Sequence, residues 1–229
     1  MQINEIFSSI DGEGIRTGYL VTFIRSQHCT LKCTYCDTLY SLEPLDSNGN
    51  KQYTDMTVEE IVAKCKELGN NRITFTGGEP LMQKDAKELL SKLTLAGFEV
   101  NVETNGNIPI RDYRTIDLDL PIAQNKLIMT MDWKSPSSGM RDKMVVDNLY
   151  CLSNSDVLKF VVGSKEDLDD MKNTLEQYKI RCNNIFVSPI FGQIEPKDIV
   201  EYLKENNMQN VRMQLQLHKF IWPVEMRGV

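Results

Sequence analysis

Short β-rich runs alternate along this chain with amphipathic helical patterns, and this alternation constrains the fold more than any other feature. The β-rich runs cover residues 19–24, 72–75, 98–102, 127–131, 157–162 and 185–187. The amphipathic stretches cover residues 57–68, 84–96, 165–178 and 196–206. Repeated strand-helix units predict an α/β fold with a parallel sheet and helices packed outside it. Because connecting loops such as 69–71 are short, we expect the sheet to curl into a full or partial barrel.

Local signals along the chain favour a single continuous domain. The 229 residues fit one domain, which we expect over 1–229. The helix predicted over 57–68 opens on a capping box, in which Thr57 is answered by Glu60. The stretch 42–55 is rich in turn-forming residues and predicts a surface loop or hairpin, not a linker between domains.

Polar clusters follow five of the predicted strands. They are Thr76-Gly77-Gly78-Glu79-Pro80, Glu103-Thr104-Asn105-Gly106, Asp132-Trp133-Lys134, Gly163-Ser164 and Ser188-Pro189. The carboxyl ends of parallel strands meet at one edge of a sheet, so these clusters should lie near one another. One polar strand end is ordinary, since loops are polar, but five in one chain predict a shared site.

Three cysteines stand within eight residues, at Cys29, Cys33 and Cys36. Three thiolates on one short loop can ligate three corners of a cube-shaped iron-sulfur cluster, but they cannot complete a four-ligand site. A structural site would normally close its coordination shell with a fourth protein ligand. The spacing therefore predicts a cluster whose open iron acts on a bound molecule.

Other uses of the six cysteines are open alternatives. A structural zinc loop would need His28 as its fourth ligand, and His28 is cramped because it directly precedes Cys29. Disulfides are not expected, because the first residues lack the basic and apolar segments of a secretory signal. Cys65 falls on the apolar face of the helix predicted over 57–68 and is expected in the core, while Cys151 and Cys182 have no ligand-spaced partner.

The charge balance argues against large anionic partners. The chain has 26 basic and 32 acidic residues, a formal net charge of −6, and no basic stripe. This composition disfavours tight binding to nucleic acid or to an anionic membrane surface. No apolar run approaches the roughly 20 residues that span a bilayer. We therefore expect a cytoplasmic protein that acts on a small-molecule substrate.

Two motifs together resemble the radical S-adenosylmethionine (SAM) superfamily. The first is the three-cysteine loop at 29–36 with Tyr35 before its third cysteine, and the second is Gly77-Gly78-Glu79-Pro80. The segments 5–14, 23–25, 36–38 and 216–219 narrow the resemblance to the 7-carboxy-7-deazaguanine synthase family. The resemblance spans almost the whole chain. It implies a partial, modified (β/α) barrel of the radical SAM type and an N-terminal substrate-binding segment.

The resemblance also implies the cofactors and the residues that hold them. Cys29, Cys33 and Cys36 would bind a [4Fe-4S] cluster. Family members use this cluster to cleave S-adenosyl-L-methionine to a 5′-deoxyadenosyl radical. The residues implied to contact SAM are Tyr35, Cys36, Asp37, Gly78, Lys134, Ser188, Pro189, Ile190 and Phe191.

The implied reaction is a ring contraction. It converts 6-carboxy-5,6,7,8-tetrahydropterin to 7-carboxy-7-deazaguanine with loss of ammonia, on the route to queuosine and other 7-deazapurines. The implied substrate contacts are Ile10, Asp11, Gly12, Glu13, Arg25, Thr76 and His218, and Thr38 is implied as the protein ligand of a Mg²⁺ ion. The family usually carries Gln where this chain has Asp11, so any contact there would be through the backbone.

The expected partners follow from the same resemblance. We expect a homodimer, and an electron donor such as flavodoxin or ferredoxin. Two other function classes are open: a glycyl-radical activating enzyme that acts on a partner protein, and a metal-binding module without catalysis. The first would need an exposed docking surface instead of a pocket with Glu13 and Arg25. The second would leave the glycine pair and the polar strand ends unexplained.

Overall fold

A computed structural model describes residues 1–118, 127–223 and 226–229. Within these ranges the chain forms one mixed sheet of nine strands. The strands are β1 (Gln2–Ile10), β2 (Leu20–Ser26), β3 (Thr54–Asp55), β4 (Arg72–Gly77), β5 (Glu99–Thr104), β6 (Leu127–Lys134), β7 (Val157–Val162), β8 (Asn184–Pro189) and β9 (Val211–Met213).

The strand order is β3-β1-β2-β4-β5-β6-β7-β8-β9. Pairing is parallel from β2 through β9, whereas β1 pairs antiparallel with both β2 and β3. In the described part of the chain, β3 and β9 stand at the two ends of this order, so the sheet does not close. The predicted partial (β/α) barrel is confirmed.

Helices lie between the strands as the alternation predicts, and the last one follows β9. They are α1 (Val58–Leu68), α2 (Ala86–Leu95), α3 (Thr115–Leu118), α4 (Asp147–Cys151), α5 (Lys165–Gln177), α6 (Pro196–Glu205) and α7 (His218–Ile221). The predicted capping box begins α1: the Glu60 amide donates to Thr57 Oγ1 at 3.2 Å, and the Thr57 amide donates to Glu60 Oε2 at 2.7 Å. Gly69, in the left-handed conformation with φ 77°, ends the helix.

The periodicity missed β1 and β9, gave the short β3 only as part of a loop or hairpin, and ended five strands two or three residues early. β1 is only partly buried and carries polar residues on both faces, so it lacks the apolar run that marked the other strands. β9 has three residues, too few for a period to show. β6 continues to Lys134, three residues beyond the predicted end, which places Asp132 and Lys134 inside the strand.

The remaining expectations on local structure hold. Residues 42–55 form a surface hairpin with an antiparallel bridge between Leu45 and Lys51, and they end in β3. Cys65 is fully buried among the apolar residues of the core. The core lies between the sheet and helices such as α1 and α2. No helix in the described ranges is long and apolar enough to cross a membrane.

Candidate active site

A cavity of about 310 Å³ opens at the carboxyl ends of the central strands. Ends of β4, β5 and β6 line it, together with Lys159 and Val161 of β7 and Ile190 after β8. Three of the five predicted polar clusters therefore meet here. Gly163 and Ser164 line a second, separate pocket, where the Ser164 side chain caps α5. The prediction that all five clusters share one site is wrong for that pair, because the chain turns into α5 directly after β7. It is also wrong for Ser188-Pro189, which lies beside the cavity wall.

Most of the residues that the sequence singled out line this one cavity. They are Ile10, Gly12, Glu13, Arg25, Cys29, Cys33, Tyr35, Cys36, Asp37, Thr38, Thr76, Gly78, Lys134, Ile190 and His218. Both ends of the chain contribute, since Met226 to Val229 also lie on its wall. Four expected contacts, at Asp11, Ser188, Pro189 and Phe191, are placed elsewhere.

Asp11 turns away from the cavity. Its carboxylate accepts from Arg16 Nε at 2.8 Å and from Thr74 Oγ1 at 2.9 Å, and its side chain is almost completely buried. Its amide donates to the Tyr19 carbonyl, and its carbonyl accepts from Gly18. The side chain and the backbone of Asp11 are thus both engaged, and the structure gives it a role in holding Arg16 against the sheet.

Ser188, Pro189 and Phe191 lie beside the cavity wall and not on it. Ser188 is buried behind Glu13, and its hydroxyl reaches Glu13 Oε2 at 3.4 Å. Pro189 ends β8. Phe191 is exposed and packs edge-on against Phe220, with ring centroids 6.4 Å apart. In this region Ile190 is the residue that faces the cavity.

The three thiols of the cluster loop (residues 29–36) share the cavity without converging on a point. Cys29 Sγ accepts from the Leu31 amide and from Asn105 Nδ2, each at 3.4 Å. Among the described residues, no group of three His, Cys, Asp or Glu side chains is close enough to hold a single metal ion. A four-iron cube spaces its thiolates more widely than one ion does, so this arrangement suits a cluster better than the zinc alternative.

A buried hydroxyl in the same loop lacks a partner. Tyr35 Oη makes no hydrogen bond to any described residue although it is buried. Leaving such a group unpaired is costly, and a molecule bound in the cavity would satisfy it.

Burial also raises the pKa of the Cys29 and Cys33 thiols, so cluster binding must release protons.

The glycine pair after β4 is explained by close packing against the start of the cluster loop. A Cβ on Gly77 would lie 2.4 Å from the Ser26 carbonyl oxygen, and one on Gly78 would lie 2.1 Å from the His28 carbonyl oxygen. The Gly78 amide donates to the Ser26 carbonyl at 3.1 Å. Only glycine allows the two backbones this approach. The pair fixes the cluster loop over the end of β4, and Gly78 also lines the cavity.

Glu79, the third residue of that motif, is structural. Its carboxylate is buried and accepts from the Leu81 amide at 3.0 Å, the Asn105 amide at 2.7 Å and Thr104 Oγ1 at 2.9 Å. Burial raises the pKa of Glu79 to about 7. The residue ties the end of β4 to the end of β5 and is not on the cavity wall.

Four alternating charges line the cavity beside the cluster loop, and we call them the charge ladder: Glu13, Lys159, Asp132 and Lys134. Lys159 Nζ lies 3.1 Å from Glu13 Oε2 and 3.2 Å from Asp132 Oδ1. Lys134 Nζ lies 2.7 Å from Asp132 Oδ2. Burial would raise the pKa of Asp132, but the two ammonium groups outweigh it and lower that pKa to about 2. Every charge in the ladder is therefore paired.

Comparison with known proteins identifies the family. Residues 23–118 match the radical SAM superfamily. A 7-carboxy-7-deazaguanine synthase of Clostridium acetobutylicum is 39% identical over 230 residues, which cover 100% of this chain and 99% of the relative. A 7-carboxy-7-deazaguanine synthase of Methanospirillum hungatei is 40% identical over 222 residues, which cover 96% of this chain and 85% of the relative. The chain belongs to the 7-carboxy-7-deazaguanine synthase family.

Solved structures support the fold. The crystal structure of QueE from Escherichia coli has a TM-score of 0.72 at 22% identity and covers 94% of this chain and 93% of that one. The crystal structure of Streptococcus suis SuiB bound to S-adenosylmethionine has a TM-score of 0.53 at 15% identity. The match covers 82% of this chain and 48% of SuiB. Membership of the radical SAM superfamily implies a [4Fe-4S] cluster and SAM, and the three-thiol loop and the unpaired Tyr35 hydroxyl fit both.

In this member of the 7-carboxy-7-deazaguanine synthase family, Arg25 presents positive charge to the cavity. Its Nε donates to Glu5 Oε1 at 2.7 Å, and the same oxygen accepts from the Tyr40 hydroxyl at 2.9 Å. Within the described ranges no residue hydrogen-bonds its two terminal nitrogens. Glu5 thus orients the guanidinium and leaves its terminal fork for an anion.

Glu103 is the acidic counterpart. Other carboxylates on the wall lie within ion-pair distance of a cation, namely Glu5, Glu13, Asp37 and Asp132. Glu103 forms no such pair with a described residue; its Oε2 accepts from Thr76 Oγ1 at 2.9 Å. Burial raises the pKa of Glu103 to about 7, and the nearby Lys159 only partly offsets this.

His218 joins the C-terminal segment to the cavity. Its ring packs against Gly12, where a Cβ would lie 2.5 Å from His218 Nδ1. Burial outweighs the neighbouring Glu13 and Asp37 and lowers the pKa of His218, which keeps the ring neutral near pH 7. Lys219 Nζ lies 3.3 Å from Asp37 Oδ2 and so ties the same segment to the chain just after the cluster loop.

Sequence reasoning passed over several residues of the site. Lys159 stood inside a predicted strand and was given no role, and Glu103 and Asp132 were noted at strand ends without a role. A signal was available: Lys159 is the one charged residue in Val157-Leu158-Lys159-Phe160-Val161-Val162. A lysine in a central parallel strand is buried only with partners, so it points to acidic residues nearby.

Proposed function

We propose that this protein converts 6-carboxy-5,6,7,8-tetrahydropterin to 7-carboxy-7-deazaguanine with loss of ammonia, on the route to queuosine. The names of its relatives support this reaction. The observation that carries the proposal is that one cavity holds the three thiols of the cluster loop, the terminal nitrogens of Arg25, and Glu103, an acidic group that forms no ion pair with any described residue. The activating-enzyme alternative has no comparable support, because these charges face a cavity and not an exposed docking surface.

Cys29, Cys33 and Cys36 would hold the cluster, and Tyr35, Asp37, Gly78, Lys134 and Ile190 would lie against SAM. When bound, the cluster and SAM supply the 5′-deoxyadenosyl radical that removes one hydrogen, at C6 of the substrate. The chain's own residues set the geometry. Gly78 fixes where the cluster loop sits, and the Tyr35 hydroxyl gains the hydrogen-bond partner that it lacks.

Arg25 would bind the substrate carboxylate through its two terminal nitrogens. A guanidinium and a carboxylate match in a bidentate pair, and Glu5 already holds the guanidinium in place. Glu13 would accept from the guanidine-like edge of the pterin, with its carboxylate oriented by Lys159 and by Gln216 Nε2 at 2.8 Å. Thr76 and the neutral His218 complete the polar wall.

Glu103 is suited to move protons in this reaction. Ring contraction with loss of ammonia requires one proton to leave a ring carbon and one to reach the departing nitrogen. A carboxyl whose pKa is about 7 can take and give protons near neutral pH. Thr76 holds one oxygen of Glu103, and the other remains for the substrate.

We also propose that Thr38 ligates a Mg²⁺ ion against the substrate carboxylate. Thr38 lies on the cavity wall, with its Oγ1 3.7 Å from Cys36 Sγ. Magnesium keeps several waters and takes further ligands from the substrate, so one protein hydroxyl is sufficient. The ion would share the carboxylate with Arg25.

The remaining proposals concern the protein as a whole. Residues 1–229 act as one domain, since residues from both ends of the chain line the same cavity. The protein works as a homodimer in the cytoplasm and receives electrons from a flavodoxin or ferredoxin. Its six cysteines are all free, and free thiols together with a cluster suit a reducing compartment.

Product formation tests the proposed reaction. Protein reconstituted with iron and sulfide under anaerobic conditions is mixed with SAM, dithionite and 6-carboxy-5,6,7,8-tetrahydropterin, and the products are read by mass spectrometry. We expect 7-carboxy-7-deazaguanine. Cleavage of SAM with no consumption of the pterin would contradict the proposal.

The Arg25→Ala variant sharpens the same test. We expect it to bind SAM normally and to lose roughly 2 to 5 kcal/mol of substrate affinity, because a buried charged partner is removed. The control is Arg212→Ala, whose guanidinium lies over the Phe186 ring away from the cavity. Calorimetric titration with an unchanged substrate affinity in Arg25→Ala would remove Arg25 from the substrate site.

A further inference from the structure

Lys159 holds together the two halves of the charge ladder. It stands in the middle of β7 with its side chain 9% exposed. Its ammonium is shared between Glu13, at 3.1 Å, and Asp132, at 3.2 Å. Asp132 in turn divides its two oxygens between Lys159 and Lys134. A single shared ammonium therefore connects the residues assigned to SAM with those assigned to the substrate.

Sharing makes the two halves interdependent. An acceptor oxygen of SAM that takes a hydrogen bond from Lys134 competes with Asp132 for that ammonium. Asp132 then depends more on Lys159, because a carboxylate whose side chain is only 23% exposed is stabilised by a cation close by. As Lys159 is drawn towards Asp132, its hold on Glu13 weakens, and Glu13 Oε2 becomes available to the N–H donors of a substrate.

We propose that Lys159 is a positioning residue that couples the two ligand sites, so that SAM bound at Lys134 raises the affinity of Glu13 for the pterin. This inference rests on the proposed function for the identity of the two ligands. By linkage the effect is reciprocal, and bound pterin raises the affinity for SAM by the same factor. The coupling favours assembly of both ligands before the radical forms.

Other charged or polar groups near Lys159 do not connect Glu13 with Asp132. Glu103 acts on it electrostatically but is hydrogen-bonded to Thr76 on a neighbouring strand. Gln216 and Ser188 bond Glu13 alone, without a contact to Asp132. In the described part of the chain, Lys159 is the residue that forms ion pairs with both carboxylates of the ladder.

The experiment is a calorimetric titration of the carboxytetrahydropterin into cluster-loaded protein, with and without saturating SAM, while the cluster stays oxidised so that no turnover occurs. In the wild type we expect SAM to tighten pterin binding by roughly 5- to 150-fold, the usual range for coupled sites. In Lys159→Met, which keeps the length of the side chain without its charge, the factor should fall to about 1. Lys172→Met, on the outer helix α5, is the matched control and should keep the wild-type factor.

Two further variants keep the inference falsifiable if Lys159→Met does not fold. Asp132→Asn should abolish the coupling from the Lys134 side, and Lys159→Arg, which keeps the charge, should restore part of it. Wild-type coupling in Lys159→Met or Asp132→Asn, or no coupling in the wild type, would overturn the inference and leave the proposed function standing. Failure of the wild type to bind the pterin at all would overturn both.

Discussion

The cluster loop and the charge ladder line the same cavity, yet one is complete within the chain and the other is not. Each charge of the ladder has a partner at 2.7 to 3.2 Å, supplied by the protein itself. The cluster loop has a buried Tyr35 hydroxyl without a partner, and its Cys29 thiol accepts two hydrogen bonds of 3.4 Å. The ladder is thus preorganised for binding, whereas the loop is finished by its cofactor.

The largest effect should come from the cluster loop. Cys29→Ala, Cys33→Ala and Cys36→Ala each remove an iron ligand, so we expect iron to fall from about four per chain towards none. Turnover and the paramagnetic signal of the reduced cluster should disappear with it. Cys65→Ala is the control, because that thiol is buried in the core away from the cavity. A retained signal in all three loop variants would show that these thiols do not hold a cluster.

The next effect concerns the ladder's neighbour Glu103. A base must be deprotonated to act, so the wild-type rate should rise with pH through about 7, where Glu103 loses its proton. Glu103→Gln should abolish this rise of the rate with pH and lower turnover by roughly 10²- to 10⁴-fold. The measurement is the pH profile of single-turnover rates for both proteins. The same pH dependence in the variant would assign the titration to another group.

The smallest effect should come from a substitution of Thr38, which follows the cluster loop by two residues. Thr38→Val is nearly isosteric and lacks the hydroxyl, so we expect cluster content and SAM binding to be kept. Most of the Mg²⁺ stimulation should be lost, because the ion's protein ligand is gone. Turnover is measured against Mg²⁺ concentration after chelation. An identical magnesium dependence in both proteins excludes Thr38 as a ligand, and no dependence in either excludes the metal.

The same two regions show what could be predicted from sequence. The cluster loop was predictable because its ligands are close in sequence. Cys29, Cys33 and Cys36 lie within eight residues, and their spacing indicates the type of cluster that they bind. The ladder was not predictable, because Glu13, Asp132 and Lys159 come from three separate segments. The register of β6 and β7 pairs Asp132 with Lys159, and the segment after β1 brings Glu13 to them. Periodicity placed Lys159 in a strand, correctly, and indicated nothing about its partners.

The close backbone packing around the glycine pair could not be predicted from the sequence either. The glycine pair read as a SAM contact, but the reason that both positions must be glycine is the approach of Gly77 and Gly78 to the carbonyls of Ser26 and His28. Asp11 lies inside a predicted substrate-binding motif, but its carboxylate forms an ion pair with the buried Arg16. The glycine approach depends on tertiary contacts, which no short sequence window contains. Arg16 is near Asp11 in sequence, but the distant Ile73 and Thr74 hold it there.

The most direct measurement asks whether the two regions act on one molecule. Substrate deuterated at C6 is incubated with the anaerobically reconstituted protein, SAM and dithionite, and the recovered SAM and 5′-deoxyadenosine are analysed by mass spectrometry. The ring contraction with loss of ammonia is redox-neutral, so the radical formed at C6 must take a hydrogen atom back from the 5′ methyl group. If the cluster loop generates the radical where Arg25, Glu13 and the ladder hold the pterin, deuterium should appear at the 5′ carbon, in the recovered SAM or in 5′-deoxyadenosine. Formation of 7-carboxy-7-deazaguanine with no deuterium in either SAM or 5′-deoxyadenosine would contradict that account.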